Sequence, residues 1–335
     1  MEHRAIGSLS VSVVGLGCNQ LGTKSCDDAT SARVVGEALD RGITFFDTSD
    51  EYGRDYAQPD DLSGWGRSEE LLGRALAGHR DQVVIASKFG PIGQVRDGVD
   101  ETGLDQVRSR ASAEGVRMAV EESLSRLGTD RIDLYQLHFP DPRYPIEETL
   151  TVLDELVQEG KVREIGCANF TGASLHEAAA AADKAGVGRF SSVQNHYNLL
   201  QRRQLEDALP VCDELGLAFL PYYPLASGVL TGKYRRDEPV PAGSRLADQV
   251  SDELRSRMLS DRVYQRLDAL TAWAHDRGHE LLDLAFAWLL GQPRVASVIS
   301  GASKPAQVAA NAAAGAWILT PAEVTEVTAL VSSVS

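Results

Sequence analysis

Four polar side chains stand where apolar segments of the chain end, and together they could carry out acid–base chemistry. Asp47, Lys88 and His138 each end an apolar run, and Tyr52 follows Asp47 in a polar loop. If these runs are neighbouring parallel strands, their carboxyl ends meet on one rim of a sheet or barrel. The four side chains would then lie close together although they are far apart in sequence.

Such a group suits proton transfer at the oxygen of a carbonyl or an alcohol. A phenol has an ordinary pKa of about 10, and a nearby ammonium lowers that pKa because it favours the phenolate. Lys88 could act on Tyr52 in this way, while Asp47 holds Lys88 charged and oriented. His138 could position the carbonyl by a hydrogen bond. Tyr52 would donate a proton to the oxygen as hydride reaches the carbon, and would accept it in reverse.

Each of the four also has a purely structural explanation. An aspartate at a strand end is often a cap, and a lysine there often extends its stem along the surface. A single histidine is commonly a satisfied polar residue, and a loop tyrosine can simply pack. The occurrence of all four at or just beyond strand ends favours the catalytic interpretation.

The elements that must position these residues follow from the apolar pattern. Eight short runs rich in Val, Ile and Phe lack strict alternation, which is typical of parallel strands buried on both faces. The runs are 11–17, 43–47, 82–88, 131–138, 162–168, 191–197, 216–222 and 295–300. Amphipathic helices separate them, such as the one that opens at Asp27 and stops at Gly42. This alternation predicts an α/β fold, a (β/α)8 TIM barrel with long loops at the C-terminal face.

An open doubly wound sheet is the rival architecture. It would favour a G-x-G-x-x-G phosphate loop after the first strand, but Gln20 stands where the third glycine is needed. The long turn-rich segments 53–66, 90–111 and 232–260 would form the lip of a substrate site. No linker divides the chain, so we expect residues 1–335 to form a single domain.

Composition restricts the partners. The net charge of -15 disfavours nucleic acid and anionic membranes as partners. The most apolar stretch, LLDLAFAWLLG, is short and contains Asp283, which predicts a buried helix and no membrane span. The N-terminus has no apolar signal segment. We expect a cytoplasmic protein, and the sequence makes no prediction of its oligomeric state.

Cysteine usage agrees with that location. The four cysteines form no CxxC pair and none has a histidine at zinc-like spacing, so no metal site is predicted. They are Cys18, Cys26, Cys167 and Cys212. Their number and spacing fit a reduced compartment, in which each would be buried packing material.

Nine segments, taken in order and spacing, resemble motifs of the aldo-keto reductase superfamily over nearly the full chain. They are GLG at 15, DTSDEYG at 47, GRSEELLG at 66, ASK at 86, DLYQLHFPDP at 133, EGKVREIGCANF at 159, VQNHYN at 193, YYPLASGVLTGKY at 222 and ISGASKPAQVAAN at 299. The resemblance implies an eight-stranded barrel that uses NADPH, less often NADH, without a Rossmann domain. The family's Asp, Tyr, Lys and His tetrad matches Asp47, Tyr52, Lys88 and His138.

The resemblance also implies a place for the nicotinamide end of the cofactor. Asn169 and Gln194 end or follow the fifth and sixth strands, and their amides can bond a carboxamide. Tyr222 offers a flat ring for stacking, and Asp47 is implied as a further cofactor contact. The alternatives are a helix cap for Asn169 and core packing for Tyr222.

The phosphates and the adenosine are implied to lie further along the same rim. The residues implied to contact the pyrophosphate side are Tyr223, Pro224, Leu225, Ser227, Gly228, Lys233 and Arg245; for the two cations, an exposed loop charge is the alternative. The segment SGASKPAQVAAN opens a helix, and amides at a helix N-terminus attract anions. With Gly301, Ser303 and Lys304 it would seat the 2'-phosphate of NADPH. Gln307 and Asn311, one helical turn apart, could reach the adenine side.

Several positions depart from the family pattern. Ala168 and Tyr223 stand where many relatives have serine, and Ser300 stands where proline is usual. Some relatives carry arginine at the position of Gln307 and an acidic residue at that of Ala310. The absent arginine weakens the case for strict NADPH preference, so NADH is the alternative cofactor.

The sequence therefore predicts a reductase that passes hydride between NADPH and the carbonyl of an aldehyde or ketone. Two alternatives are a non-catalytic NADPH-sensing subunit of a larger assembly and a lyase in which Lys88 forms a Schiff base. A sugar-like substrate would suit a lip that contains Asp55, Asp60, Asp61 and Trp65, unless this is only a solvated loop. Phe139 and Tyr223 would instead suit aromatic aldehydes.

Overall fold

The computed structural model describes residues 1–54, 63–91 and 111–333, together with the backbone of two short strands at 95–96 and 99–100. In chain order the strands are β1 (His3–Ile6), β2 (Leu9–Ser12), β3 (Val14–Gly17), β4 (Phe45–Asp47), β5 (Val84–Phe89), β6 (Val95–Arg96), β7 (Val99–Asp100), β8 (Ile132–Leu137), β9 (Val162–Ala168), β10 (Ser192–His196), β11 (Ala218–Tyr222) and β12 (Val298–Gly301). Eight of them form one sheet in the order β11-β10-β9-β8-β5-β4-β3-β12. All neighbours in this sheet are parallel.

The sheet closes on itself between β11 and the segment that precedes β12. Phe219 and Val295 form a parallel bridge. The Phe219 N–H donates to the Arg294 carbonyl at 2.7 Å, and the Ala296 N–H donates to the Phe219 carbonyl at 3.1 Å. The sheet is thus the nearly closed barrel of a (β/α)8 TIM fold, and the predicted fold class is confirmed.

Helices lie between successive barrel strands and after the last of them. They are α1 (Asp28–Asp40), α2 (Arg67–Ala75), α3 (Ala113–Leu127), α4 (Ile146–Gln158), α5 (Gly172–Ala185), α6 (Ala208–Leu215), α7 (Arg245–Asp248), α8 (Asp252–Met258), α9 (Asp261–His275), α10 (Leu281–Leu290), α11 (Pro305–Ala314) and α12 (Pro321–Ser333). Asp27 caps α1 as predicted, because its side chain accepts from the Thr30 N–H at 2.9 Å. The apolar helix α10 is largely buried. Across the described ranges, no helix has the length and apolarity that crossing a membrane requires.

The N-terminal end of the barrel is covered by a hairpin that the sequence pattern did not predict. The first predicted strand, 11–17, is in fact two strands: β2, which pairs antiparallel with β1, and β3, which belongs to the barrel. Between them the Ser12 hydroxyl donates to the Val14 carbonyl at 2.7 Å, which stabilises a bend. Ile6 and Val11 of the hairpin share a buried cluster with residues of the barrel interior. A continuous apolar run conceals such a bend, so the pattern could not separate the two strands.

Side chains alternate between the two faces of each strand, and this period of two decides what reaches the rim. Phe45, Ala86 and Leu134 fill the barrel interior in the same apolar cluster as the hairpin. Two residues further along their strands stand Asp47, Lys88 and a glutamine at 136. The interior therefore changes from apolar to polar at the C-terminal end of the strands.

The three long segments predicted at the lip have different outcomes. Segment 232–260 contains two short helices, α7 and α8, instead of turns alone. Much of 53–66 and 90–111 lies outside the described residues, including Asp55, Asp60 and Asp61. Trp65 is described, and the Arg54 guanidinium carbon lies 5.8 Å from its ring centroid.

Candidate active site

Lys88 is the centre of the polar cluster at the C-terminal rim. It is 0% exposed, and its ammonium donates to Asp47 Oδ2 at 2.7 Å, to the Thr48 carbonyl at 2.8 Å and to Tyr52 Oη at 3.4 Å. All three N–H donors of the ammonium thus have acceptors. The Lys88 Nζ also lies 4.9 Å from the centroid of the Tyr52 ring. A positive charge in this position stabilises the phenolate form of the tyrosine.

Asp47 is a buried carboxylate whose two oxygens are both engaged. Oδ2 accepts from Lys88. Oδ1 accepts from Gln194 Nε2 at 2.9 Å and from Gln136 Nε2 at 3.1 Å. Gln194 Nε2 also lies 3.3 Å from Gln136 Oε1. These donors offset the cost of burying the charge and hold the ammonium of Lys88 in a fixed place.

His138 completes the cluster from the end of β8. Its ring centroid lies 6.0 Å from that of Tyr52, with the two planes at 78°, and it stacks on Phe139 at 5.2 Å. Burial, and to a lesser extent the charge of Lys88, hold the pKa of His138 well below its usual value. The imidazole is therefore neutral at physiological pH, with one N–H donor and one acceptor nitrogen.

Asn169 links this cluster to the predicted stacking ring. Its amide Nδ2 donates to the His138 carbonyl at 2.9 Å, and its Oδ1 accepts from the Tyr222 hydroxyl at 2.7 Å. Asn169 has φ 62, a left-handed conformation that asparagine tolerates better than most residues. It is not the cap of α5, because Thr171 holds that place. The helix-cap alternative for Asn169 is therefore excluded.

Tyr222 is half-buried and has an aromatic neighbour. His196 stacks parallel to it, with ring centroids 5.5 Å apart and planes at 19°. Burial raises the pKa of Tyr222 to about 12, so it stays a neutral phenol that donates to Asn169. The ring thus has a fixed orientation at the rim, next to the polar cluster.

The chain after β11 makes a run of left-handed residues. Tyr223, Ala226 and Ser227 have φ 52, 47 and 57, which L-residues rarely adopt and which concentrate at functional sites. Gly228 follows with φ 90, and a side chain there would lie 2.6 Å from the Lys233 ammonium. The segment that includes buried Pro224 and half-buried Leu225 therefore brings Lys233 against the backbone.

Arg245 connects the helical segment 245–258 to this run. Its Nη2 donates to the Tyr223 hydroxyl at 2.9 Å, and its guanidinium carbon lies 4.7 Å from the ring centroid. The same segment approaches the loop after β3, where Gln249 Nε2 lies 3.5 Å from Gln20 Oε1. The two predicted phosphate-side cations, Lys233 and Arg245, thus both lie against the segment that follows β11.

The N-terminus of α11 lies at the end of β12, after Gly301. Gln307 Oε1 accepts from the Ser303 N–H at 2.8 Å, and Lys304 is exposed at the N-cap. Asn311 instead points inward: it is 5% exposed and donates to Ser300 Oγ at 3.1 Å. Ser303, Lys304 and Gln307 therefore face one surface, whereas the amide of Asn311 is engaged in the interior. Its adenine contact stays a prediction.

The sequence reasoning passed over several polar residues in the cluster. Gln136 stands two residues before His138 on the same strand, so the period of two could have placed it beneath the histidine. Ser49 and Glu51 lie in the loop after β4, and Ser49 Oγ is 3.4 Å from His138 Nδ1. Glu51 Oε1 is 3.6 Å from the same atom. No sequence signal distinguishes these two from an ordinary polar loop.

Comparison with known proteins gives a family match over nearly the whole chain. Residues 13–332 match the group described as the Aldo/keto reductase family. The resemblance drawn from the sequence motifs is thereby confirmed.

The names of individual relatives indicate different functions. Aldo-keto reductase YhdN of Bacillus subtilis (strain 168) is 34% identical over 331 residues, which are 95% of this chain and 90% of that protein. An NADH-specific methylglyoxal reductase of Escherichia coli (strain K12) is 35% identical over 283 residues, 83% of this chain and 80% of that protein. A probable voltage-gated potassium channel subunit beta of Oryza sativa subsp. japonica is 32% identical over 347 residues, which cover 99% of this chain and 97% of that protein.

Proposed function

Because this chain belongs to the aldo/keto reductase family and is an NAD(P)H-dependent oxidoreductase that acts on carbonyl compounds, we propose that its chemistry takes place at Tyr52, Lys88, Asp47 and His138. The single observation that carries this proposal is the buried Lys88 ammonium, which contacts both the Asp47 carboxylate and the Tyr52 hydroxyl. The dinucleotide, when bound, supplies the hydride. The protein's own residues position the carbonyl and deliver the proton.

Each residue has a distinct role in this proposal. Tyr52 gives its proton to the carbonyl oxygen and is left as a phenolate, which Lys88 stabilises. Asp47 keeps Lys88 charged and fixed. His138 is a neutral imidazole and donates one hydrogen bond to the same oxygen. In the oxidative direction the proton returns to Tyr52.

The residues that would hold the dinucleotide fit its parts. Asn169 and Gln194 offer amides to the carboxamide, and Tyr222 offers a ring for stacking. The segment 223–228, with Lys233 and Arg245, suits the pyrophosphate. The N-terminus of α11, with Ser303 and Lys304, suits a further phosphate because its amides and its cation attract an anion.

We further propose that NADPH is preferred and that NADH is also used. Lys304, exposed at the N-cap of α11, supports binding of a 2'-phosphate. The glutamine at 307 offers no charge to that phosphate, and an Escherichia coli relative is named NADH-specific. These last two observations argue against a strict preference, whereas Lys304 favours NADPH. We therefore propose a modest preference for NADPH.

Replacing Gln307 by arginine is expected to lower the KM for NADPH about tenfold and to leave the KM for NADH nearly unchanged. Gln307 reaches the Ser303 amide, so a guanidinium there would add a charge-assisted hydrogen bond, worth about 1.5–3 kcal/mol, to a phosphate beside Lys304. Initial rates with both cofactors measure this. Ala313→Arg, which places the same charge near the other end of α11, should change neither KM. An equal change for the two cofactors would contradict the assignment.

The direct test of function is oxidation of NADPH, repeated with NADH, against methylglyoxal, sugars, aromatic aldehydes and ketones. We propose a small aldehyde or ketone as the substrate, with a sugar-like carbonyl as one candidate class. Turnover of at least one class is expected, with activity in Tyr52→Phe strongly reduced. Absence of turnover across the whole panel would contradict the enzymatic proposal.

A cofactor-sensing subunit of a larger assembly is the second candidate, because one relative is named a potassium channel subunit. Tight NADPH binding without turnover would favour it. A Schiff-base lyase is disfavoured because the Lys88 ammonium is buried and has three acceptors. We also propose a single domain over 1–335 and a cytoplasmic location, which four buried free cysteines support.

A further inference from the structure

Glu51 is a buried carboxyl group beside His138 that the proposed chemistry does not use. It is 6% exposed and lies in the loop after β4, next to Tyr52. Its two oxygens have different neighbours. Oε2 accepts from Arg54 Nη2 at 3.3 Å, whereas Oε1 lies 3.6 Å from His138 Nδ1. One oxygen therefore faces a permanent cation and the other faces the imidazole.

Burial, opposed in part by nearby cations, raises the pKa of the Glu51 carboxyl group. Burial raises the pKa of Glu51 to about 7; the Arg54 guanidinium opposes this, the Asp50 carboxylate adds to it, and Lys88 of β5 opposes it. His138, which faces Glu51 from the end of β8, is neutral and adds no charge. Asp50 in turn interacts with Arg126 of α3. Both forms of Glu51 are therefore populated within the physiological range.

The neutral imidazole of His138 carries a single proton, on either Nδ1 or Nε2. Nδ1 faces Ser49 Oγ at 3.4 Å and Glu51 Oε1 at 3.6 Å. Within the ranges that the structure describes, Nε2 has no hydrogen-bond partner. Nε2 is thus the nitrogen that a substrate oxygen can reach. Whether Nε2 carries the proton depends on whether the group beside Nδ1 donates or accepts a hydrogen bond.

The protonation state of Glu51 decides whether Nδ1 faces a hydrogen-bond donor or an acceptor. In protonated Glu51 the proton lies on Oε1, because Arg54 donates to Oε2, and a small rotation lets Oε1–H donate to Nδ1. The imidazole proton is then on Nε2, where it can be donated to a carbonyl oxygen. In ionised Glu51, Oε1 is an acceptor that favours Nδ1–H, and Nε2 then has no proton to donate to the substrate oxygen.

We propose that Glu51 is a positioning residue that selects the tautomer of His138: protonated Glu51 keeps the imidazole proton on Nε2, which donates it to the substrate oxygen as a hydrogen bond, and ionised Glu51 removes that hydrogen bond. The change from one state to the other releases one proton, from Oε1 to solvent, while the imidazole proton passes from Nε2 to Nδ1. This inference rests on the proposed roles of Tyr52 and His138 and extends them to the pH dependence of carbonyl reduction.

The test is the pH dependence of single-turnover carbonyl reduction between pH 5.5 and 8.5. In the wild-type protein, the rate of reduction is expected to fall about five- to tenfold as pH rises through about 7, the size of one hydrogen bond. In Glu51→Gln the carboxamide N–H donates to Nδ1 at every pH. The rate of reduction should therefore keep its low-pH value throughout.

Three further variants test whether the pH effect is specific to the contact between Glu51 and His138. Glu37→Gln, which changes a partly exposed carboxylate paired with Arg41, should keep the wild-type profile. In a His138→Asn background, Glu51→Gln should have no further effect on the profile. Tyr52→Phe should be nearly inactive at every pH. If Tyr52→Phe is inactive but Glu51→Gln keeps the wild-type pH profile, the proposal for Glu51 fails while the proposed function stands; an active Tyr52→Phe overturns both.

A measurement on the wild-type protein covers the case in which Glu51→Gln does not fold. The ¹⁵N chemical shifts of the His138 ring report its tautomer directly. We expect Nε2–H at pH 6 and Nδ1–H at pH 8. The same tautomer at both pH values would overturn the proposal.

Discussion

Replacing Tyr52 by phenylalanine is expected to lower kcat/KM for carbonyl reduction by about 10²–10⁴-fold, the contribution usual for a positioned general acid. The variant loses one oxygen atom, and with it the proton that the new alkoxide requires. The Lys88 ammonium, 3.4 Å from that oxygen, would face an empty position instead of a phenolate. NADPH oxidation against the best substrate of the panel measures the loss.

Cofactor binding should change little in Tyr52→Phe, because none of the residues proposed to hold the dinucleotide is removed. Fluorescence titration with NADPH measures this Kd. Tyr264→Phe is a matched control: its hydroxyl donates to the Arg235 carbonyl at 3.2 Å in an exposed contact, and its activity should equal that of the wild type. A Tyr52→Phe protein that kept more than about a tenth of the activity would contradict the assigned role.

Replacing Lys88 by methionine is expected to abolish carbonyl reduction and to lower the free energy of unfolding by about 3–5 kcal/mol. Methionine fills much of the same volume but carries no charge. The Asp47 carboxylate would remain buried with only the amides of Gln136 and Gln194 as donors. An uncompensated buried charge of this kind is among the largest destabilising effects of a single substitution. Urea denaturation and NADPH oxidation give the two measurements.

The double variant Asp47→Asn/Lys88→Met separates stability from catalysis. A neutral amide at 47 still accepts from the two glutamines and no longer needs a cation, so most of the lost stability should return while activity stays absent. Arg41→Met is the surface control, since its pair with Glu37 is partly exposed and should contribute under about 1 kcal/mol. A double variant less stable than Lys88→Met would show that the charge of Asp47 is not what destabilises the single variant.

The arrangement of Asp47, Lys88, Gln136 and Gln194 explains why both effects come from one residue. Their side chains all point into the barrel near the C-terminal ends of their strands, just above the apolar layer of Phe45 and Ala86. This apolar layer excludes water from the inner side of the cluster. The Lys88 ammonium and the Asp47 carboxylate therefore stabilise each other by direct contact. The same contacts that keep the ammonium in place for Tyr52 also satisfy the buried carboxylate.

The cofactor region leaves more to experiment than the polar cluster does. Asn169 and Tyr222 are held together by one hydrogen bond, so the amide oxygen that would meet a carboxamide already has a donor. At the far end, the Gln307 side chain accepts from Ser303 at the helix N-terminus where a phosphate would bind. The substitution at 307 therefore tests the region where the family pattern and this chain differ most.

The apolar runs of the sequence predict the barrel, and the polar residues that end them predict where the proposed catalytic residues converge. Apolar runs and capped helices depend on neighbours within a few residues, so they can be predicted from the sequence alone. Parallel strands have a common polarity, and residues such as Asp47, Lys88 and His138 at their carboxyl ends must therefore converge. This is why residues 41 or more positions apart could be assigned to one site before any contact was known.

Which neighbours those residues have depends on how the elements pack in three dimensions. The bend between β2 and β3, the inward turn of Asn311, and the approach of Glu51 to His138 all depend on side chains from separate elements meeting at a few ångströms. Local sequence carries no record of such distances, because loop conformation and rotamer choice are settled by packing. The position of the reacting groups thus follows from strand polarity, whereas their protonation and orientation follow from the packed interior.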